Sequence, residues 1–405
     1  MNNTDLLRDA DQARILMSAD SARSFFNMRA VPRLFSADID GIEAYLIEVE
    51  ADLNVCLHSF NIVGLADKAV SEAKERVNSA LKNSGIKPPS KENRRITVNL
   101  APADVKKSGS RFDLAIAISY LLASEQIGLF NSEDKLFLGE LALNGDLRPI
   151  QGALNIALMV KERKIKFLFL PFMNAEEAAA VKDIKIIPVR NLLQLISHLE
   201  GRGEIEAQAV MDFTPSSLPA TVSIHEIKGQ QTAKRAITVA AAGGHHVLFT
   251  GLPGAGKTML AQGLASILPP PTLDESIEIT KIYSSVGLNK KTPFITHRPF
   301  RMPHHSASSV ALIGGGQDPR PGEISLAHRG VLFLDEAPEF RRDVIEALRQ
   351  PLEAGEIHVA RARQTLVFPA RFMLILAMNP CRCGYYDDPK SECKCTASEV
   401  LRYQK

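Results

Sequence analysis

The sequence predicts an α/β chain in two successive parts, an α+β half followed by a P-loop α/β half. Three observations carry this. Between residues 30 and 200, runs that alternate apolar and polar residues are interleaved with apolar positions at helical spacing. Residues 201–223 then turn polar and proline-bearing (Pro215, Pro219), as linkers do. Beyond them an apolar run, a glycine-rich loop and a helix-compatible stretch follow in immediate succession from residue 247, within a second half spanning 224–405.

Composition narrows the classes. A chain of 405 residues, 45% hydrophobic and 23% charged, has material for two or three cored domains. Its net charge of +2 makes no whole-chain argument for nucleic acid or membrane, so any such claim has to rest on local patches. No apolar run approaches the length of a spanning helix, and the first residues (Asp5, Arg8, Asp9, Asp11, Arg14) lack the apolar centre of a signal peptide. A cytoplasmic protein with no membrane segment is expected. Residues 1–29, polar and mixed in charge, read as a flexible extension.

In the first half, Tyr45, Ile47 and Val49 share one face and Val55 and Leu57 continue the run, which predicts antiparallel strands. Ala69, Val70, Ala73, Val77, Ala80 and Leu81 recur at helical spacing until Gly85 and Pro88-Pro89 stop them. Ile96, Val98 and Leu100 form a strand, Phe112 to Ala123 an apolar helix, and Lys135 to Leu143 a strand that turns at Asn144-Gly145-Asp146. Helices over 151–163, 174–182 and 191–199 alternate with strands over 166–170 and 184–188. In the second half a helix opens at Ile227-Lys228-Gly229-Gln230-Gln231 and runs to Ala242, and Pro269-Pro270-Pro271 ends the helix after the glycine loop. Phe340 to Glu353 reads as one helix, residues 357–368 as a hairpin, Phe372 to Ala377 as a strand, and Thr396 to Tyr403 as a helix.

The chemistry is concentrated in the second half. Gly251-Leu252-Pro253-Gly254-Ala255-Gly256-Lys257-Thr258-Met259 is G-x4-G-K-T placed between the strand Val247-Leu248-Phe249 and a helix. The glycines let successive N–H groups point at phosphates, Lys257 reaches the outer phosphates, and Thr258 offers a hydroxyl to Mg²⁺, so ATP binding is expected. Gly330-Val331-Leu332-Phe333-Leu334-Asp335-Glu336 is a buried strand that delivers two carboxylates at its carboxyl end. Asp335 is expected to hold Mg²⁺ and Glu336 to polarise the attacking water; such a pair could instead cap a helix. Cys381, Cys383, Cys393 and Cys395 form C-x-C-x9-C-x-C, a set able to offer Zn²⁺ four thiolates, with a redox pair as the other use.

Two groups of motifs carry a family resemblance. Phe60 to Leu65, Ala69 to Gly85 and Lys107 to Leu114 resemble the ChlI-type N-terminal domain of ComM/YifB proteins. That resemblance implies a Lon-protease-like (ribosomal S5 domain 2-like) fold. The Ser-Lys dyad of Lon has no counterpart in Gly109-Ser110-Arg111-Phe112-Asp113 or in Pro149 to Leu154. A stray loop serine without a base is a cap or turn residue more often than a nucleophile. Arg298 to Ser308, Ala311 to Gly316 and Pro319 to His328 are similar to the signature of the same family, the magnesium-chelatase-like branch of AAA+ ATPases. His304 and His305, adjacent and without a third ligand at fixed spacing, read as structural or subunit-interface residues.

The resemblance implies Gly229 and Gln230 over the adenine, an insertion in the second helix of the motor core, and Asn379 as a sensor of the γ-phosphate. It also implies a pre-sensor hairpin whose Arg361 and Arg363 contact a DNA backbone, for which guanidinium geometry suits; an exposed turn with solvated charges is the alternative. The implied whole is a hexameric ring that migrates single-stranded or branched DNA in natural transformation. A motor subunit for metal insertion into porphyrin is the competing reading, against which the N-terminal domain speaks. The arginine finger and helical lid of the family have no counterpart before Lys405, so a truncated chain that binds ATP more securely than it hydrolyses it is expected.

Overall fold

The computed structural model describes residues 31–216, 222–289, 292–316, 319–360 and 365–404. Its first half is a seven-stranded sheet built from β1 (Arg33–Asp40), β2 (Glu43–Val55), β3 (Ser59–Val63), β4 (Arg94–Ala101), β5 (Lys135–Phe137), β8 (Phe167–Pro171) and β9 (Lys185–Val189), in the order β3-β4-β2-β1-β5-β8-β9. Only β2 opposes the rest, pairing antiparallel with β1 and β4, while β3–β4, β1–β5, β5–β8 and β8–β9 pair in parallel. The antiparallel expectation therefore holds for the first hairpin and not for the sheet. The parallel links follow from the crossovers through helices Ala73–Asn83, Asp113–Ala123 and Ala153–Glu162, which antiparallel neighbours would not need.

Helices cover both faces. Asp113–Ala123 is apolar all round and is buried between the sheet and its neighbours with Val77, Leu81, Ile96, Val98 and Leu195. Ala153–Glu162 covers the other face with Leu136, Leu168 and Ile186. Several sequence expectations break locally. Val55 is 91% and Leu57 85% exposed, so the strand leaves the core at its end. The expected strand over 135–143 splits at Leu138-Gly139 into β5 and β6 (Glu140–Leu141), and β6 hairpins with β7 (Leu147–Arg148) through the expected Asn-Gly-Asp turn. The expected helix over 174–182 shortens to Ala175–Ala178.

The second half is a parallel four-stranded sheet of β10 (Val247–Thr250), β11 (Phe300–Arg301), β14 (Val331–Leu334) and β17 (Met373–Met378), ordered β10-β17-β14-β11, with a separate short pair β12 (Gly314–Gly315)–β13 (Arg320–Pro321). β14 is buried on both faces: Val331 and Phe333 pack with the helices Gln231–Gly243 and Lys257–Ser266, Leu332 and Leu334 with Ile324, Phe340 and the hairpin β15 (Glu356–Ala360)–β16 (Thr365–Pro369). The expected single helix over 340–353 is two, Arg342–Ala347 and Arg349–Ala354, because Pro351 has no N–H for the carbonyl one turn back.

One long helix is not evident from the sequence pattern. Leu273–Ser285 lies in a stretch that looks polar and irregular, yet Thr272 and Glu275 form a reciprocal capping box at its start. It bridges the two halves. Its Leu273 and Ile277 pack into the core beneath Ala153–Glu162, Gly152 N donates to Ser284 O (3.0 Å), the Ser284 hydroxyl donates to buried Glu177, and Lys281 pairs with Glu43 (2.8 Å). No helix among the described residues is long and apolar enough to cross a membrane.

Candidate nucleotide site and cysteine cluster

Strand register brings the candidate residues to one edge. Thr250 pairs with Met378 and Leu334 with Leu376, so the glycine loop, Asp335-Glu336 and Asn379 all emerge at the carboxyl ends of β10, β14 and β17. Gly254 (φ 77°) and Gly256 (φ 84°) take the left-handed conformation that curls the loop into the helix Lys257–Ser266. Gly251 opens the loop, Ala255 lies between the two left-handed glycines, and Met259, 43% exposed, lies in the first turn of the helix.

The polar groups of this edge satisfy one another. Lys257 Nζ donates to Gly251 O (2.8 Å), Leu252 O (3.0 Å) and Asn379 Oδ1 (3.0 Å). Burial lowers the Lys257 pKa against the opposing pull of Asp335 and Glu336. Thr258 Oγ1 donates to Asp335 Oδ2 (2.8 Å), and Glu336 N donates to the other carboxylate oxygen of Asp335 (3.0 Å). A hydroxyl and a carboxylate in contact beside a glycine cradle and an ammonium make a donor set that fits Mg²⁺ and a polyphosphate. Gly229 and Gln230 both have positive φ (68° and 53°), and Gln230 Nε2 donates to Ala255 O (3.3 Å), which ties that turn to the loop.

Glu336 also has positive φ (53°), and its carboxylate faces the His305 ring, Nδ1 to Oε2 3.6 Å. His305 lies tilted against His304 (centroids 4.1 Å) and meets Phe340 edge-on (6.5 Å). The His-His pair stands out in the sequence, but nothing local in it says that its loop folds back to bring His305 to Glu336. Arg361 and Arg363, which fall between β15 and β16 in the sequence, lie outside the described residues.

The four cysteines converge. Cys381 is fully buried, all four are free thiols, and their sulfurs lie within 4.8 Å of one another. Cys381–Cys383, Cys383–Cys393 and Cys381–Cys393 sulfurs stand 3.3, 3.6 and 3.7 Å apart. Tetrahedral Zn²⁺ at about 2.3 Å from each sulfur needs edges of about 3.8 Å, whereas a disulfide needs about 2.05 Å. The cluster therefore has the donor type and spacing of a tetrathiolate site. In the first half Ser110 Oγ donates to Glu140, and buried Lys107 turns instead to the Pro102 carbonyl.

The family described as "Magnesium chelatase, subunit ChlI" matches residues 223–405, and "Subunit ChlI of Mg-chelatase" matches residues 49–174. The chain is 45% identical over 369 residues to the competence protein ComM of Haemophilus influenzae, covering 90% of this chain and 71% of that protein. It is 43% identical over 363 residues to YifB of Salmonella typhimurium, covering 90% and 70%. It is also 27% identical over 167 residues to the Lon protease of Rhizobium meliloti, covering 40% of this chain and 20% of that protein.

Proposed function

This chain belongs to the ComM/YifB family, built on a ChlI-type ATPase core, and from that premise we propose that it is a cytoplasmic ATP-driven DNA motor. The observation that carries the proposal is the joint presentation of Lys257, Thr258, Asp335, Glu336 and Asn379 at one sheet edge. Bound ATP–Mg²⁺ supplies the phosphoanhydride whose cleavage powers the movement.

Each residue has a task. The backbone amides of Gly251, Gly254, Ala255, Gly256 and Lys257, continued by Thr258 and Met259, cradle the phosphates at the helix N-terminus. Lys257 exchanges its loop carbonyls for the outer phosphates, Thr258 and Asp335 hold Mg²⁺, Glu336 takes up the proton of the attacking water, and Asn379 orients that water. Gly229 and Gln230 flank the adenine. Arg361 and Arg363, between β15 and β16 in the sequence, meet the DNA backbone.

The N-terminal half is a Lon-protease-like domain that does not act as a protease, a reading supported by Ser110 having a carboxylate rather than a lysine as its partner. Domains over 30–200 and 224–405, joined through 201–223, assemble by this reading into a hexameric ring that migrates branched DNA, as natural transformation requires. The four cysteines hold a structural Zn²⁺. A porphyrin-metallation motor is the competing assignment.

The test is an ATPase assay with single-stranded DNA, branched DNA or porphyrin added. DNA-stimulated turnover, with Glu336→Gln binding ATP normally while turnover falls by about 10²–10⁴, supports the proposal. Porphyrin stimulation without a DNA response would overturn it.

A further inference from the structure

The cysteine cluster is wedged against the nucleotide loop. Cys381 follows Asn379 by two residues, so the cluster begins where the sensor strand β17 ends. Gly384, at φ 90°, lies so close to Pro253 of the glycine loop that a Cβ there would come within 2.7 Å of the proline ring. Proline cannot rotate away, so the two loops are in rigid contact. The last helix, Ala397–Gln404, closes the third side: Val400 is buried, and Gln404 Nε2 donates to Pro380 O (2.8 Å). The residues around the four sulfurs thus touch the P-loop through Gly384 and lie next to Asn379, itself bonded to Lys257.

The thiols alone are a poor fastener. Their sulfurs, 3.3, 3.6 and 3.7 Å apart across Cys381, Cys383 and Cys393, hold one another only through weak S–H contacts. A divalent cation fixes two separate C-x-C turns to one point.

We propose that the four-cysteine cluster is a zinc-dependent brace for the nucleotide site, coupled to it through the Gly384–Pro253 contact and the Asn379–Lys257 hydrogen bond. The inference rests on the zinc reading above and goes beyond it: zinc and nucleotide bind with positive linkage, because the metal orders two of the loops that nucleotide must find in place. A displacement of about 1 Å at such a site is enough to cost orders of magnitude in function, so a loss of about tenfold in nucleotide affinity on zinc removal is expected.

The experiment uses the full 405-residue chain. Zinc content is measured by release to a chromogenic chelator, and Co²⁺ substitution reports the ligands through its tetrahedral thiolate spectrum. Affinity for a fluorescent ADP analogue and hydrogen exchange over residues 251–256 and 377–384 are then followed with zinc, after chelation and after zinc is restored. One zinc per chain, an affinity that falls about tenfold and recovers, and exchange that rises in those two segments while the N-terminal sheet stays protected are the expected results. Gly384→Ala keeps all four thiols and should retain its zinc while losing a comparable share of nucleotide affinity. Absence of zinc binding would defeat the zinc reading itself. Zinc bound with nucleotide affinity unchanged on chelation, or unchanged in Gly384→Ala, would leave that reading standing and overturn the brace.

Discussion

Replacing Glu177 by alanine should loosen the junction between the sheet domain and the ATPase core. Glu177 is 4% exposed, accepts from Leu154 N (3.1 Å) and from the Ser284 hydroxyl, and so bridges the start of one helix to the end of the bridging helix Leu273–Ser285. Truncation leaves a buried N–H and a buried O–H without that acceptor. At about 1–3 kcal/mol for each stranded group, tempered by the freedom of the serine hydroxyl to rotate, the loss is about 2–4 kcal/mol. Spread over the whole chain at about 2.1 cal/mol/K per residue, that corresponds to roughly 2–5 °C in melting temperature.

Glu177→Gln separates charge from shape. Burial raises the Glu177 pKa, against the opposing effect of its hydrogen-bond donors. The folded state therefore holds this proton more tightly than the unfolded chain does. Stability from this group is fully present below the unfolded value, near 4.3, and is lost as pH rises through the folded pKa. The melting-temperature difference between Glu177→Gln and the parent should shift in favour of the variant as pH climbs through that window and then level off. Calorimetry across pH, with hydrogen exchange at the Gly152 and Leu154 amides, reads both effects. An alanine variant that melts like the parent, with those amides equally protected, would refute the role assigned to Glu177; a glutamine difference that does not vary with pH would refute the protonation argument.

Other outcomes follow from the site. Lys257→Ala should weaken binding of a fluorescent ATP analogue by about 100-fold, since charged hydrogen bonds contribute about 1.5–3 kcal/mol each; titration measures it. Removing both charges in Arg361→Ala/Arg363→Ala should weaken binding to single-stranded DNA and reduce the slope of log affinity against log salt by about 1.4, read by anisotropy across a salt series. An unchanged slope would remove the hairpin from the DNA contact. Because His305 faces Glu336 at 3.6 Å, His305→Ala should alter the turnover rate at saturating ATP more than ATP affinity, which steady-state kinetics with the binding titration would distinguish.

Much of the site was legible because its parts are local. The glycine loop, the β14 pattern ending in Asp335-Glu336 and the paired C-x-C turns each announce themselves within a short window, where backbone freedom, burial and donor type act on neighbouring residues. The helix Leu273–Ser285 was legible in principle through Thr272 and Glu275 but hidden by the polar residues on either side. Its surface pattern is blurred because it serves two cores: Leu273 and Ile277 face the N-terminal domain, Ile282 the ATPase core.

The sequence by itself determined the chemistry on offer: an ammonium and a hydroxyl behind a glycine loop, two carboxylates at a strand end, an amide after another strand, and four thiols. Only the tertiary structure decided which of these meet. The Lys257–Asn379 bond, the turn of His305 toward Glu336 and the seating of Gly384 on Pro253 join segments far apart in the chain. They depend on the strand order β10-β17-β14-β11 and its register. That order is set by which buried faces pack together, a collective result of apolar burial that no short stretch of residues encodes alone.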